Sequence, residues 1–194
     1  MKGIYVSVLS ILIGLSPQAQ TTKQKGAISV SAETALLNGD SHVNMQIMLS
    51  AGYELKGWFI GAGSGFDYYK YRTAPVFVDV KKYLGKGNRQ LFIYMNGGTD
   101  IAWPTENQKT LHESNWWGFN SDNKFKNGIY TDLGLGYTLF NTKRRGFFTA
   151  LGYSTKTMTE IYKESIWTGT TTVISERTLK YTMNRVLLRI GYKF

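Results

Sequence analysis

The sequence predicts an all-β protein, an eight-stranded antiparallel up-and-down transmembrane β-barrel, on three observations. Glycine and aromatic residues are abundant, with 21 Gly, 13 Tyr, 10 Phe and 5 Trp against only 3 Pro, which is typical of all-β proteins. Apolar and polar residues alternate in segment after segment, so each predicted strand has two faces in two different environments. The connections between these segments alternate between short turns and segments of variable, sometimes great length, as in membrane barrels.

The first twenty residues have the layout of a secretory signal peptide. Lys2 gives a positive start, residues 4–15 form an almost unbroken apolar run, and a proline and small residues follow. About a dozen apolar residues are too few to span a bilayer as a helix. We therefore expect an exported chain with a cleaved signal peptide at 1–20 and one barrel domain at 21–194. A buried N-terminal strand of a cytosolic protein is the alternative interpretation.

Composition narrows the chemistry that the mature chain can perform. The absence of cysteine excludes disulfides and thiolate metal sites, and no His, Asp or Glu cluster has the spacing of a zinc or calcium site, so no metal or cofactor is expected. The net charge of +10 would suggest nucleic acid for a soluble domain. An exported chain seldom meets nucleic acid, and we expect outer-membrane lipid and lipopolysaccharide as partners instead.

The end of the chain is the most informative segment. Phe194, Tyr192 and Ile190 head a run in which every second residue is apolar, back to Val186. A soluble sandwich or a membrane barrel would each explain such alternation. The terminal Phe favours the barrel, because it resembles the C-terminal strand that the barrel-insertion machinery of the outer membrane recognises. We therefore interpret these three residues as an insertion signal.

The same alternation recurs along the chain and gives eight strands. Three of them, the first, fifth and seventh, are less clear than the others. The turns after the second, fourth and sixth strands are short and polar, as periplasmic turns of a barrel must be. The longest of the other connections is 101–127, and the next is about 162–176. The predicted strands are 27–37, 42–54, 58–69, 74–83, 90–100, 128–140, 146–161 and 177–194.

Three runs of the sequence resemble those of a known family. They are Gly52-Tyr53, Gly61-Ala62-Gly63-Ser64-Gly65-Phe66-Asp67-Tyr68-Tyr69 and Ala74-Pro75-Val76-Phe77-Val78-Asp79-Val80. They are similar to the small eight-stranded barrels known as the outer membrane protein β-barrel domain. The resemblance covers nearly the whole mature chain and implies the fold and the membrane. It implies no single activity, because the family includes adhesins, structural barrels and secretion-accessory factors.

Charged residues fall on the predicted lumen face of the strands. An eight-stranded barrel is just wide enough for side chains to fill it, and an isolated charge inside would be very costly. A mixture of acids and bases therefore predicts a packed ion-pair network, with an ion or proton path as the alternative. The alternating glycines at 61, 63 and 65 lie on the same face, where they leave room for large neighbours. The predicted network consists of Glu54, Asp67, Asp79, Lys81, Asp132, Arg185 and Arg189, with Lys193 on the same face.

The long connection 101–127 holds the remaining candidates for function. Trp116, Trp117 and His112 are interpreted as a binding site for a protein or glycan partner, since exposed Trp is unusual outside recognition surfaces or aromatic girdles. His112 also stands two residues from Ser114, the spacing of a lipid-hydrolysing barrel, but no acidic residue is clearly placed to orient it. We expect a non-enzymatic barrel with a structural, adhesive, secretion-accessory or envelope-complex role. A lipid-modifying hydrolase and a narrow pore are the alternatives.

Overall fold

The computed structural model describes residues 26–39, 43–85, 89–109, 123–139 and 145–194, which form nine strands and one helical turn. The predicted signal peptide lies outside these residues. No helix among them is long and apolar enough to cross a membrane. The elements are β1 (Ala27–Gly39), β2 (Val43–Leu55), β3 (Trp58–Asp67), β4 (Thr73–Leu84), β5 (Leu91–Ala102), α1 (Glu106–Lys109), β6 (Lys124–Lys126), β7 (Gly128–Thr138), β8 (Gly146–Trp167) and β9 (Thr172–Lys193).

Eight of these strands close into a barrel in which every neighbouring pair is antiparallel. The order around the ring is β1, β2, β3, β4, β5, β7, β8 and β9, and β9 returns to β1 with Leu36 opposite Leu188. The ninth strand, β6, pairs with β8 and continues the line of β7 beyond Asn127. The predicted all-β, eight-stranded antiparallel barrel is therefore confirmed.

The two ends of the barrel differ in their connections. The turn end carries the start of β1, the end of β9 and the connections 56–57, 85–90 and 139–145. At the first of these, Lys56 and Gly57 both have positive φ, 53° and 76°, which is the two-residue turn that matches the twist of antiparallel strands. The opposite end, called the loop end, carries the other four connections, of which 103–127 is the longest.

The last hairpin departs from the sequence prediction. The predicted connection at about 162–176 is wrong, because β8 and β9 stay paired until Trp167 meets Thr172. Beyond Tyr153 and Val186 the outward positions of both strands are mostly polar, so the alternation of apolar and polar residues that predicts a strand is lost. The residues there still favour a strand through β-branching. The outward positions that change to polar are Thr155, Thr157, Thr159, Thr178, Lys180, Thr182 and Asn184.

An apolar band surrounds the outside of the barrel. Along β4 its borders are two outward cations, Arg72 against the ring of Trp103 (4.2 Å) and Lys82 against the ring of Trp58 (4.5 Å). The outward residues between them are all apolar. Ten residues of strand, at roughly 3.3 Å each and with a tilt of about 40°, give a band of about 25 Å. That is the height of the hydrocarbon-facing belt of an outer-membrane barrel.

Large side chains fill the interior against glycine-bearing walls. Phe92, Tyr94 and Phe148 form one aromatic cluster towards the turn end. A Cβ added to Gly136 would lie 2.1 Å from Cζ of Phe92, so the ring occupies the space that a side chain would need. The same holds at Gly63, where an added Cβ would lie 2.5 Å from Phe77. Glycine on the inner face thus lets a narrow barrel hold aromatic residues.

Candidate functional site

A chain of five charged side chains crosses the middle of the barrel. Arg189 forms ion pairs with Asp132 and, at 2.9 Å, with Glu33. Lys81 then joins Glu33 (2.7 Å) to Asp79 (3.1 Å). Each of the two bases contacts two acids, so no charge within this group is isolated. Five strands, β1, β4, β5, β7 and β9, meet here, because Tyr94 on β5 donates a hydrogen bond to Asp132 at 3.0 Å.

A second group of charges lies nearer the loop end and centres on Asp67. This carboxylate forms ion pairs with Arg185 and, at 3.2 Å, with Lys156. Arg185 also donates to the hydroxyl of Ser154 (2.8 Å), and Lys156 donates to the backbone oxygen of Tyr71 (2.9 Å). The group therefore ties β3, β8 and β9 to the turn that precedes β4.

The side chains of both groups are buried inside the barrel. Asp67, Asp132, Arg185 and Arg189 are all 1% exposed or less. At both levels these side chains form ion pairs between different strands. The arrangement therefore links the walls of the barrel to one another. Buried charges of this kind are costly to leave unpaired, so the loss of one partner should destabilise the barrel.

The network contains the residues predicted from the sequence and two more that were not predicted, Glu33 and Lys156. Asp79, Lys81, Asp132 and Arg189 lie in the first group, Asp67 and Arg185 in the second, and Glu54 pairs separately with Lys193 (2.5 Å) at the turn end. Glu33 and Lys156 were missed, although each has the inward parity of its strand. Glu33 shares its face with Ser31 and Lys156 with Ser154. Both residues are found when every second residue of β1 and of β8 is assigned to the inner face.

At the loop end a buried glutamate of β8, Glu160, accepts hydrogen bonds from side chains of β9 and of two connections. Asn123 donates to Oε1 of Glu160 (2.9 Å), while the hydroxyls of Tyr181 and Tyr71 donate to Oε2 (2.8 and 3.2 Å). Burial raises the pKa of the Tyr71 phenol above its ordinary value, so the hydroxyl stays protonated and able to donate. Phe125 packs on Tyr71 with ring centroids 5.4 Å apart. These five residues, called the Glu160 cluster, hold β6 against the rim.

The other side of the long connection is also anchored, through Gln108 of α1. Its amide nitrogen donates to the backbone oxygen of Lys70 (2.9 Å), and its amide oxygen accepts from the backbone of Arg72 and of Thr105 (3.2 and 3.0 Å). Lys70 has a positive φ of 59°, which is uncommon outside glycine and needs support from its surroundings. Both flanks of residues 110–122 are therefore fixed to the barrel.

The residues predicted for binding and for lipid hydrolysis are not among those that the structure describes. His112, Ser114, Trp116 and Trp117 lie outside the described residues. Among the residues that the structure does describe, no group of three or more His, Cys, Asp or Glu side chains could hold a metal ion. The chemistry available in the described part of the loop end is hydrogen bonding and aromatic contact around Glu160.

The three residues interpreted as an insertion signal form an outward row at the turn end. Ile190 and Phe194 are exposed, and Tyr192 packs between the rings of Phe147 and Phe194 with both centroid distances 4.9 Å. The backbone of Phe194 donates to the oxygen of Val30 (2.9 Å), which secures the last residue to β1. The row therefore combines an apolar outer face with a fixed chain end.

Known proteins offer likenesses in structure and none in sequence. No protein-family model and no curated protein matches the chain. Its structure is similar to the outer membrane protein OprG from Pseudomonas aeruginosa (TM-score 0.50, 13% identity, 87% of this chain and 95% of that chain). It also matches the N-terminal β-barrel domain of Pseudomonas aeruginosa OprF (0.48, 12%, 88% and 100%) and the outer membrane protein AlkL in lipid bilayers (0.42, 9%, 92% and 94%).

At 13% identity the likeness to OprG concerns the fold alone. It shows that this chain has the fold of an outer-membrane β-barrel, and the resemblance drawn from the sequence is confirmed at that level. The chain and OprG correspond over most of both lengths, so the likeness includes the closed barrel and is not confined to one hairpin.

Proposed function

We propose that this chain is an integral outer-membrane barrel that acts as a non-enzymatic binding protein through its loop end. The observation that carries the proposal is the packed interior: among the described residues, Arg185 and Arg189 are buried and form ion pairs with Asp67 and Asp132, which supports a barrel without an open path along its axis. A barrel filled in this way exposes only its two ends to water. The end with the longer and more varied connections is the one suited to recognition.

The outer surface supports a position in the membrane. The apolar band of about 25 Å matches the hydrocarbon-facing belt of outer-membrane barrels, and aromatic residues stand at its borders at Trp58 and Trp103. Short turns in such barrels face the periplasm and long loops face outward. The turn end is therefore proposed to be periplasmic and the loop end external.

The loop end supports the binding role because the connection 103–127 is held at both flanks. Gln108 fixes one side and the Glu160 cluster the other, so a partner that contacts residues 110–122 would meet a segment with fixed ends. Such anchoring lowers the conformational entropy lost on binding. Trp116 and Trp117 remain our candidates for that contact, since Trp is enriched among the residues that dominate binding energy.

Shortening the loop tests the binding role. Residues 110–122 are replaced by a short Gly-Ser link, which keeps Gln108 and Asn123 and with them both anchors. We expect a folded, heat-modifiable barrel that no longer retains the proteins or glycans that co-purify with the full chain from native membranes. Trp116→Ala with Trp117→Ala is the matched variant of full length. Unchanged co-purification in both would contradict the proposal.

Conductance and acyl release test the two alternatives on the same preparation. We expect no current steps above background from the purified barrel in planar bilayers, because the ion pairs at Arg185 and Arg189 close the interior. We also expect no acyl release from phospholipid, with His112→Ala as the control. Steady single-channel currents would favour the pore, and hydrolysis that depends on His112 would favour the enzyme.

A further inference from the structure

The two ends of the barrel carry very different charges. The connections of the turn end contain six basic residues and no acidic one, and those of the loop end contain five basic and four acidic residues. The chain's surplus of positive charge is therefore concentrated at one end. The six bases are Lys56, Lys86, Arg89, Lys143, Arg144 and Arg145.

The described side chains of this end lie on the outside of the rim. Lys56, Arg89 and Arg145 are exposed, whereas the nearby carboxylate of Glu54 turns inward and is paired with Lys193. Glu54 therefore does not neutralise these three bases, whose side chains are exposed on the outside of the barrel.

Lys82 fixes the level of this rim relative to the apolar band. It points outward from β4, with Trp58 and Ile93 beside it on the neighbouring strands. A lysine on the lipid face is strongly destabilising at the bilayer midplane and well tolerated at the interface. Its ammonium lies 4.5 Å from the ring centroid of Trp58, and Trp is the residue that prefers the headgroup level. Lys82 therefore stands where headgroup phosphates lie.

From this placement we infer that the turn end binds anionic phospholipid headgroups, through a basic collar made of Lys56, Lys82, Arg89 and Arg145. The inference rests on the proposed membrane location and extends it to a lipid class. Ammonium and guanidinium groups bind phosphate oxygens through charge-assisted hydrogen bonds, and basic residues beside a membrane gain further from the surface charge of anionic lipids. The collar would hold a ring of such lipids in the leaflet at the turn end.

Fluorescence quenching at Trp58 measures this preference directly. The full chain is inserted into phosphatidylcholine vesicles that contain brominated phosphatidylglycerol or brominated phosphatidylcholine. The difference from Trp58→Phe isolates this one Trp, since the other four are at 103, 116, 117 and 167. We expect phosphatidylglycerol to be preferred about five-fold at low salt and the preference to vanish at high salt. Excess inorganic phosphate should leave it unchanged if intact headgroups, and not free phosphate, are the ligand.

Charge-removal variants locate the site. Changing the four collar bases to Gln should bring the preference to about one-fold, and changing all but Lys82 should at least halve it, which controls for altered contacts at Trp58. The matched control removes four exposed bases of the loop end and should keep the full preference. Its changes are Lys124→Gln, Lys126→Gln, Lys163→Gln and Lys180→Gln.

Each outcome decides between the two proposals. Equal quenching by both lipids in an inserted barrel overturns the collar and leaves the membrane location standing. Loss of the preference in the loop-end control to the same degree overturns it as well, since net charge alone would then explain the effect. Absence of quenching by either lipid contradicts the membrane location and the collar together.

Discussion

A single guanidinium at the centre of the barrel shows how the interior is stabilised. Arg189 lies between Asp132 and Glu33, and the hydroxyls of Tyr94 and Tyr130 also donate to Asp132 (3.0 and 3.2 Å). Because the surroundings exclude water, each partner depends on the others for its charge to be tolerated. Removal of one member therefore costs more than the pair contributes.

Replacement of Arg189 by Leu should lower the free energy of unfolding by about 3–5 kcal/mol, because Asp132 loses the one ion-pair partner that it has among the described residues. Urea unfolding in detergent micelles measures the change. Lys126→Leu, on the exposed strand β6, is the control and should change the same quantity by less than about 0.5 kcal/mol. The further change Asp132→Leu should restore part of the loss.

A negligible loss on Arg189→Leu would mean that water solvates Asp132. The barrel would then be hydrated inside, and the variant should show new conductance. That pair of results would favour the ion path over the packed network.

At the scale of elements, β8 and β9 show that one hairpin can serve two environments. Up to Tyr153 and Val186 their outward residues are apolar except Thr149, and beyond that level they are mostly polar. The pairing continues unbroken because backbone hydrogen bonds are the same in both regions. The far part of the hairpin, past Ile161, pairs only with itself among the described residues.

Truncation of this hairpin tests whether its far part is independent of the barrel. Residues 164–175 are replaced by Asn-Gly, a sequence suited to a two-residue turn, between Lys163 and Glu176, which already face each other. We expect the free energy of unfolding to change by about 1 kcal/mol or less, because locally paired, solvated segments open at little cost. Thermal unfolding followed by gel mobility measures it. A barrel that fails to fold would show that the far hairpin contributes to the core.

At the scale of the whole molecule, the barrel places apolar residues outside and charges inside. Aliphatic side chains such as Leu133, Leu151 and Leu188 are more than half exposed, whereas Arg185 and Lys156 are buried. In water this arrangement would expose a continuous apolar surface, so the fold is stable only where lipid covers that surface. Folding therefore requires insertion into the membrane, and we expect the C-terminal residue Phe194 to be needed for that step.

Deletion of Phe194 should reduce the amount of folded barrel in the outer membrane several-fold while leaving expression and export intact. The deletion removes the outermost ring of the aromatic row and the hydrogen bond to Val30. Phe194→Tyr keeps both and should assemble normally. Heat-modifiable gel mobility of membrane fractions gives the folded amount. Normal levels after the deletion would refute the role of Phe194 as an insertion signal.

Much of the candidate site followed from parity along the strands. The side chains of Asp67, Asp132, Arg185 and Arg189 are inward for the same reason that their neighbours are apolar, since a strand has a period of two. The alternation along a strand does not show which charges form ion pairs. Pairs such as Arg189 with Glu33 join different strands, and the stagger between those strands is set only when the ring closes. Lys156 was missed because the alternation of β8 fades where its outer face becomes polar.

The sequence by itself determined the barrel, the number of strands in its ring and the inner face on which charges such as Asp67 and Arg189 lie, because these follow from local alternation and turn chemistry. Only the tertiary structure decided three further features. It joined the charges into two groups, extended the last hairpin past the apolar band, and anchored both flanks of the long connection through Gln108 and Glu160. Each depends on contacts between residues far apart in the chain, and a periodic local signal carries no information about such contacts.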